Sequence, residues 1–518
     1  MSSNSQSGSP VLVIIGGTFV MLYIAASVLL SGGNTMGSMF FYMLIFSGVL
    51  GIIAPRKAFF LFLFQCGYLD LAKRLMVMAG DVGVEDLYWV LGIAPITVCG
   101  ITAGLVIRIF YGQIPAGRSD VLRLCLAVCI ITGGAFITYK GGGGFSSVAK
   151  TVTDAYLYSL LIFVVPLLFS TTLEVRRLWN VVFLIFVPVA IYGIYQQLVG
   201  FQEFELEYLR TGLSIEIKQL YTERVRAFST LNSPTSLSLI MSELAAVVAL
   251  LSGTEFATRF KRHRFKHGFP ILLAITLFCL FCAAWLASTV RVGIMVVPIS
   301  ITAVILFRGQ RSTFLFYLFN LLFFASLIAV APYMLMNIEA WTMRMHEWVG
   351  DNEFMANLLD ANTYKDRLMG FVNVLGNPDA YTLLGKGGAD TTGEFYNHDP
   401  LSNALLKFGA LPLACILLGL SKVLIYLHQS IWRIADHDSR RMATICLAVV
   451  AGSVAVSMVG GNLISSFPGN VFLTMPIGMV LAIRGEDERR RKEQAAQNAL
   501  PVPPSQWQRP WALGRPAA

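Results

Sequence analysis

Apolar runs of about 20 residues follow one another along most of the chain, separated by short polar stretches, and a run of that length is what an α-helix needs to cross a bilayer core. The apolar positions are continuous rather than alternating over about 10 residues, which excludes a membrane β-barrel. Candidate spans are Val11–Leu30, Met36–Ala54, Ala58–Met78, Leu87–Phe110, Val121–Tyr139, Ala155–Thr172 and Leu178–Val199 in the first part of the chain. Thr235–Ser252, Phe269–Ala287, Thr289–Phe307, Thr313–Met336, Leu401–His428, Met442–Val459 and Pro468–Ile483 follow. The pattern predicts an all-α, polytopic helical membrane protein with about 14 transmembrane helices. Asp70, Lys73 and Arg74 interrupt the third run, which leaves an interfacial helix over Gly67–Ala79 as an alternative there.

The polar interruptions divide the chain into an N-terminal transmembrane bundle (1–200), a core region that opens with a first large loop (201–336, the loop being 201–233), a second large loop (337–397), C-terminal helices (398–485) and a tail (486–518) expected to be disordered. Both large loops fall on the same side of the membrane. Within the second, Trp341, Met345 and Trp348 recur at helical spacing, the stripe of a short helix lying on the membrane surface or of a simple aromatic anchor.

Composition agrees with this pattern: 56% of the 518 residues are hydrophobic and only 13% charged, too few charges to cover a water-soluble surface of that size. The net charge of +9 comes from Lys and Arg clusters between the apolar runs, from Arg56-Lys57 to the Arg484–Lys492 tail. That is the signature of positive-inside topology rather than of nucleic-acid binding, and with 14 spans it puts every cluster and both termini in the cytoplasm. The eight cysteines fall in or beside apolar runs, Cys279 and Cys282 included, and read as small core residues rather than disulfides or metal ligands. The first apolar run is too long for a cleaved signal sequence and is expected to remain as a span.

Candidate chemistry gathers on the outer side. His398, followed by Asp399-Pro400, stands where the second loop turns into a helix, either as an ordinary loop-end histidine or as a neutral imidazole able to act as a general base near pH 7. Arg291 lies just inside the outer end of a span that has no other charge until Arg308, and it either snorkels to the headgroups or binds an anion. Arg224 and Arg226 precede a helix start marked by Ser233 as N-cap and Pro234 in the first turn, an arrangement suited to phosphate. The one DxD, Asp436-His437-Asp438, sits among basic residues and reads as solvated. Asp81, Glu85 and Asp86 in a short outer loop are the carboxylates a metal-dependent alternative would use.

Three patches resemble, in order, the O-antigen ligase and O-antigen polymerase family of bacterial inner-membrane glycosyltransferases: Arg226-Ala-Phe-Ser-Thr-Leu-Asn-Ser-Pro; Ser288-Thr-Val-Arg291-Val-Gly; and Arg367-Leu-Met-Gly-Phe through Leu384-Gly385-Lys-Gly387, followed by His398 and Gly409. The interval from His398 to Gly409 looks like the family's "HN…L…G" signature, with Asp399 standing where the family has Asn. The resemblance implies a large periplasmic loop containing short helices and a metal-independent, cofactor-free, inverting transfer of a glycan from an undecaprenyl-diphosphate donor to a sugar hydroxyl at the periplasmic face of the inner membrane. It implies Arg226 and Arg291 on the diphosphate, Arg224 as a further phosphate ligand, Arg367 holding the loop or the donor, and His398 deprotonating the acceptor. The implied partners are the lipid-linked oligosaccharide, the bilayer, a flippase and a chain-length regulator, and no nucleic acid. The reading leans to an exopolysaccharide or O-antigen polymerase, with a ligase to lipid A core and a transporter or flippase of lipid-linked saccharide as alternatives. A transporter predicts internal repeats, and none is evident in the sequence.

Overall fold

A computed structural model describes residues 35–78, 84–140, 144–210, 226–259, 271–290, 293, 295–307, 374–377, 382–385, 400–460 and 467–499. Among these residues every regular element is helical. The expected spans Val11–Leu30 and Thr313–Met336, the Trp341–Trp348 stripe and Asp81 lie outside the described residues.

The helices are α1 (Thr35–Ile53), α2 (Pro55–Met78), α3 (Val84–Phe110), α4 (Arg118–Lys140), α5 (Phe145–Leu168), α6 (Thr172–Val199) and α7 (Glu203–Arg210). They continue with α8 (Pro234–Arg259), α9 (Ile271–Ala287), α10 (Val296–Phe307), α11 (Pro400–Phe408), α12 (Ala410–Trp432), α13 (His437–Gly460) and α14 (Gly469–Ala499). Within the described residues seven of them, α3 to α6, α8, α12 and α13, contain stretches long and apolar enough to cross a membrane, and α1, α9 and α10 are shorter apolar helices. In α4 and α12 only 17% and 11% of the most apolar stretch is buried inside the protein. Leu122, Phe136 and Leu418 point outward from these two helices, an arrangement that lipid tolerates and water does not.

The bundle closes through glycines where backbones touch. A Cβ on Gly100 of α3 would stand 2.3 Å from Gly48 O, and one on Gly104 would stand 2.6 Å from Ile52 O, so α1 and α3 pack with nothing between them. α5 owes its irregularity to a π turn at Val152–Tyr156 followed by a 3-10 turn at Leu157–Leu160. Asn470 at the start of α14 takes up carbonyls from this segment, donating to Asp154 O at 2.6 Å and to Ala155 O at 3.1 Å.

Among the described residues, basic helix ends meet at one end of the bundle. Arg56 pairs with Glu174 at 2.8 Å, Arg108 donates to Ile53 O, and Arg484 donates to Ser430 Oγ at 2.7 Å. Glu486 accepts from the backbone N–H and hydroxyl of Thr172 at 2.6 and 2.7 Å. The DxD at Asp436 belongs to this end as a helix cap. Its carboxylate accepts from Ser439 Oγ at 2.6 Å and from Ser439 N at 2.9 Å, at the start of α13. The Ser439 hydroxyl holds the Asp436 carboxyl below the usual carboxylate range. Such a group contributes stability that is complete above the unfolded carboxylate value and is lost as pH falls through the lower folded value. Asp436→Ala is therefore expected to cost about 1 kcal/mol near neutral pH. In thermal melts its gap to the wild type should narrow once the pH drops below about 4.

Several expected boundaries move. The run Leu401–His428 is two helices, α11 and α12, broken at Gly409 with φ +89°. The run from Thr289 opens with a turn over 288–290, in which Thr289 has φ +55°, and its described α-helix spans Val296–Phe307. Glu486 to Ala499, expected to be disordered, continue α14, where Arg490–Glu486 and Arg491–Asp487 pairs one turn apart and the contacts of Glu486 and Asp487 with the bundle hold the helix. α2 is continuous from Pro55 to Met78 and is not divided at Gly67. All eight cysteines are free, but only Cys66 and Cys446 are buried; Cys125, Cys129, Cys279 and Cys415 face outward from their helices.

Candidate functional site

At the end of α2 remote from Arg56 lies a buried polar network that carries residues 226–233. Ser229 has φ +55°, which takes the turn out of helical geometry, and side chains of two helices bond the backbone N–H and C=O groups at its centre. Gln196 of α6, fully buried, accepts from the backbone N–H of Phe228 at 3.1 Å and of Ser229 at 2.6 Å. Arg74 of α2 donates to Ser229 O at 2.7 Å and to Leu231 O, and its guanidinium lies 4.4 Å from the centre of the Phe228 ring.

The charge of Arg74 is met by Glu205 of α7 at 3.0 Å, with both side chains at 2% exposure or less. Gln196 Nε2 and the backbone N–H of Gln202 complete the carboxylate's partners. Thr230 Oγ1 donates to Gly67 O, and Asn232 Nδ2 donates to Phe467 O at 2.7 Å, so the turn is fastened to α2 and to the residues preceding α14. α8 then starts as its sequence predicts, with Ser233 Oγ accepting from Ser236 N at 3.2 Å. Arg226 lies exposed at the head of this turn.

The turn abuts the second patch. Ala227 N–H donates to Ala287 O at 3.2 Å, joining it to the end of α9. Beyond α9 the chain reverses through Ser288-Thr289-Val290, where Val290 O accepts from Ser238 Oγ and Trp285 Nε1, each at 2.9 Å. Gly293 lies so close to α8 that a Cβ would stand 2.2 Å from Ser238 Oγ and 2.9 Å from Ser238 O. The first two patches therefore converge on the N-terminal turns of α8.

The third patch assembles separately around the helix break. Residues 382–385 form a turn, with Gly385 at φ +80°, that docks on the start of α12. Ala410 N donates to Thr382 O at 3.3 Å and Leu411 N donates to Leu383 O at 3.1 Å. Lys140 Nζ, at the end of α4, donates to Leu384 O at 3.0 Å. Val374 packs with Leu405 and Leu406 in a small apolar cluster that fastens the preceding residues to α11. Gly409, the glycine of the His-to-Gly interval, thus meets Leu384-Gly385 backbone to backbone.

His398, Arg291, Arg224 and Arg367 lie outside the described residues, so of the predicted site residues the structure places Arg226 alone. The residues that sequence reasoning missed are Arg74, Gln196 and Glu205. The available signal was a cation, Arg74, near the end of an apolar run, where a charge without a partner is costly. No protein family, curated protein or solved structure matches the chain.

Proposed function

We propose that the protein is an inner-membrane glycosyltransferase that joins a glycan from an undecaprenyl-diphosphate donor to a sugar hydroxyl on the periplasmic side, in the manner of the O-antigen polymerases and ligases. The observation that carries this reading is the backbone bond between Ala227 and Ala287, which puts the Arg226 turn against the segment leading to Arg291. In this reading Arg226 and Arg291, two guanidinium groups from separate segments, bind the diphosphate, whose charge grows as it leaves. The docking of Leu384-Gly385 on Gly409 is the second support, since it ties the loop sequence of the third patch to the helix preceded by His398. In this reading His398 takes the acceptor's proton and the anomeric carbon inverts.

The test is reconstitution of the full chain in proteoliposomes with a defined undecaprenyl-diphosphate-linked repeat, with and without a lipid A core acceptor. Polymer formed from the repeat alone identifies a polymerase, and product formed only with the core identifies a ligase. Movement of the repeat across the bilayer with no new glycosidic bond would overturn the proposal in favour of a transporter. EDTA is expected to leave the rate unchanged, and a loss restored by magnesium would contradict a metal-independent transfer. Arg226→Ala is expected to weaken donor binding about tenfold, with Arg226→Lys in between, because lysine keeps the charge but loses the planar bidentate fork. Titration of the donor analogue against the three proteins measures this, and equal affinities would remove Arg226 from the diphosphate site.

A further inference from the structure

Glu243 lies roughly 14 Å along α8 from its first residue, well inside the bundle. Its side chain is 1% exposed. Oε1 accepts from Ser453 Oγ of α13 at 2.5 Å, and Oε2 has no partner among the described residues. Among the described residues, the helices packed against α8 are α6, α9, α10, α13 and α14. α9 and α10 carry no charged residue, and α14 has none before Arg484. α6 keeps Glu174, Arg176 and Arg177 in its first two turns, and α13 keeps His437, Asp438, Arg440 and Arg441 in its first two turns, far from Ser453. The other titratable groups on these helices are thiols and phenols, which are neutral at physiological pH. Beside Ser453 the contact is tight: a Cβ on Gly452 would stand 2.4 Å from Ser300 Oγ and 3.0 Å from Val296 O of α10.

A carboxylate in this position would be a buried anion with one hydroxyl donor and no countercharge among the described residues, which costs several kcal/mol. Adding a proton to Oε2 removes the charge and leaves Oε1 as the carbonyl oxygen that Ser453 already serves. We infer that Glu243 is a proton-binding site in the apolar interior, holding its proton on Oε2 at neutral pH while Ser453 donates to Oε1. Losing that proton sets a bare charge between α8 and α13, so proton release and separation of the two helices are coupled. Ser233, the last residue of the Arg226 turn, caps α8, and Ser238 of α8 donates to Val290 O, so the coupling extends to the candidate site. The inference does not depend on the transferase reading.

Infrared spectroscopy of the full-length protein in lipid nanodiscs at neutral pH, where exposed carboxyls are ionised, tests it directly. The wild type minus Glu243→Gln difference should contain the carbonyl stretch of one protonated carboxylic acid, shifted in deuterium oxide and unchanged when sodium replaces choline. A difference confined to carboxylate stretches would overturn the inference, and an acid band lost on adding sodium would replace the proton with a monovalent cation. Should Glu243→Gln fail to fold, Ser453→Ala tests the same assignment. It removes the donor to Oε1 and should move the acid band to higher frequency, and a band left in place would not belong to Glu243.

Discussion

Arg74→Ala is expected to destabilise the protein by about 3–5 kcal/mol, the range for breaking one side of a buried ion pair. The guanidinium serves three partners that cannot turn to water: the Glu205 carboxylate, Ser229 O and Leu231 O. Removing it leaves a buried anion with only Gln196 and the Gln202 N–H as donors, and two backbone carbonyls without the donor they have now. Arg74→Lys should recover part of the loss, since one ammonium cannot span Glu205 and both carbonyls in the plane that the guanidinium fork occupies. Glu205→Gln should be milder than Arg74→Ala, because an amide oxygen still accepts from Arg74 and Gln196. Thermal unfolding of the purified variants measures all three. A melting temperature for Arg74→Ala within error of the wild type would show that the pair is not what holds residues 226–233. If the transferase reading holds, transfer should fall even below the melting point, because the turn that presents Arg226 is released first.

The hydropathy pattern found most helices close to their ends: α1 was expected over Met36–Ala54 and α4 over Val121–Tyr139, each within a few residues of where it lies. Such agreement has a local cause, since a membrane helix satisfies its backbone within its own segment and its apolar length is written in consecutive residues. The start of α8 was legible for the same reason, its cap being Ser233 and Pro234. Arg74 was visible only as an interruption, because its meaning lies with Gln196, Glu205, Ser229 and Leu231, more than a hundred positions away in the chain. The break between α11 and α12 was hidden too: a hydropathy window averages over one glycine, and what the glycine permits is the approach of a turn from another part of the sequence. Asp436, which the sequence reads as solvated, is a cap whose partner Ser439 lies only three residues on.

The second large effect is expected at that break. Gly409→Ala places a methyl group 2.1 Å from Gly385 N, 2.6 Å from Leu384 C and 2.7 Å from Leu383 O, at a backbone φ of +89° that alanine rarely adopts. All three neighbours are backbone atoms, so no rotamer change relieves the clash. The turn can retreat only by giving up the bonds from Ala410 N to Thr382 O and from Leu411 N to Leu383 O. Strained φ and overpacking each cost about 1–3 kcal/mol, so the substitution should lower stability by at least about 2 kcal/mol. Gly419→Ala, inside α12 itself, is the matched control: nothing lies within 4 Å of its would-be Cβ, and its backbone is helical. There the same substitution should be neutral or stabilising by about 0.5–1 kcal/mol, since alanine loses less backbone freedom in a helix. Side-by-side thermal melts decide the matter. Equal melting temperatures would mean that the 382–385 turn does not sit on Gly409, whereas a drop confined to Gly409→Ala, accompanied by loss of transfer, would tie that turn to the working geometry of the helix preceded by His398.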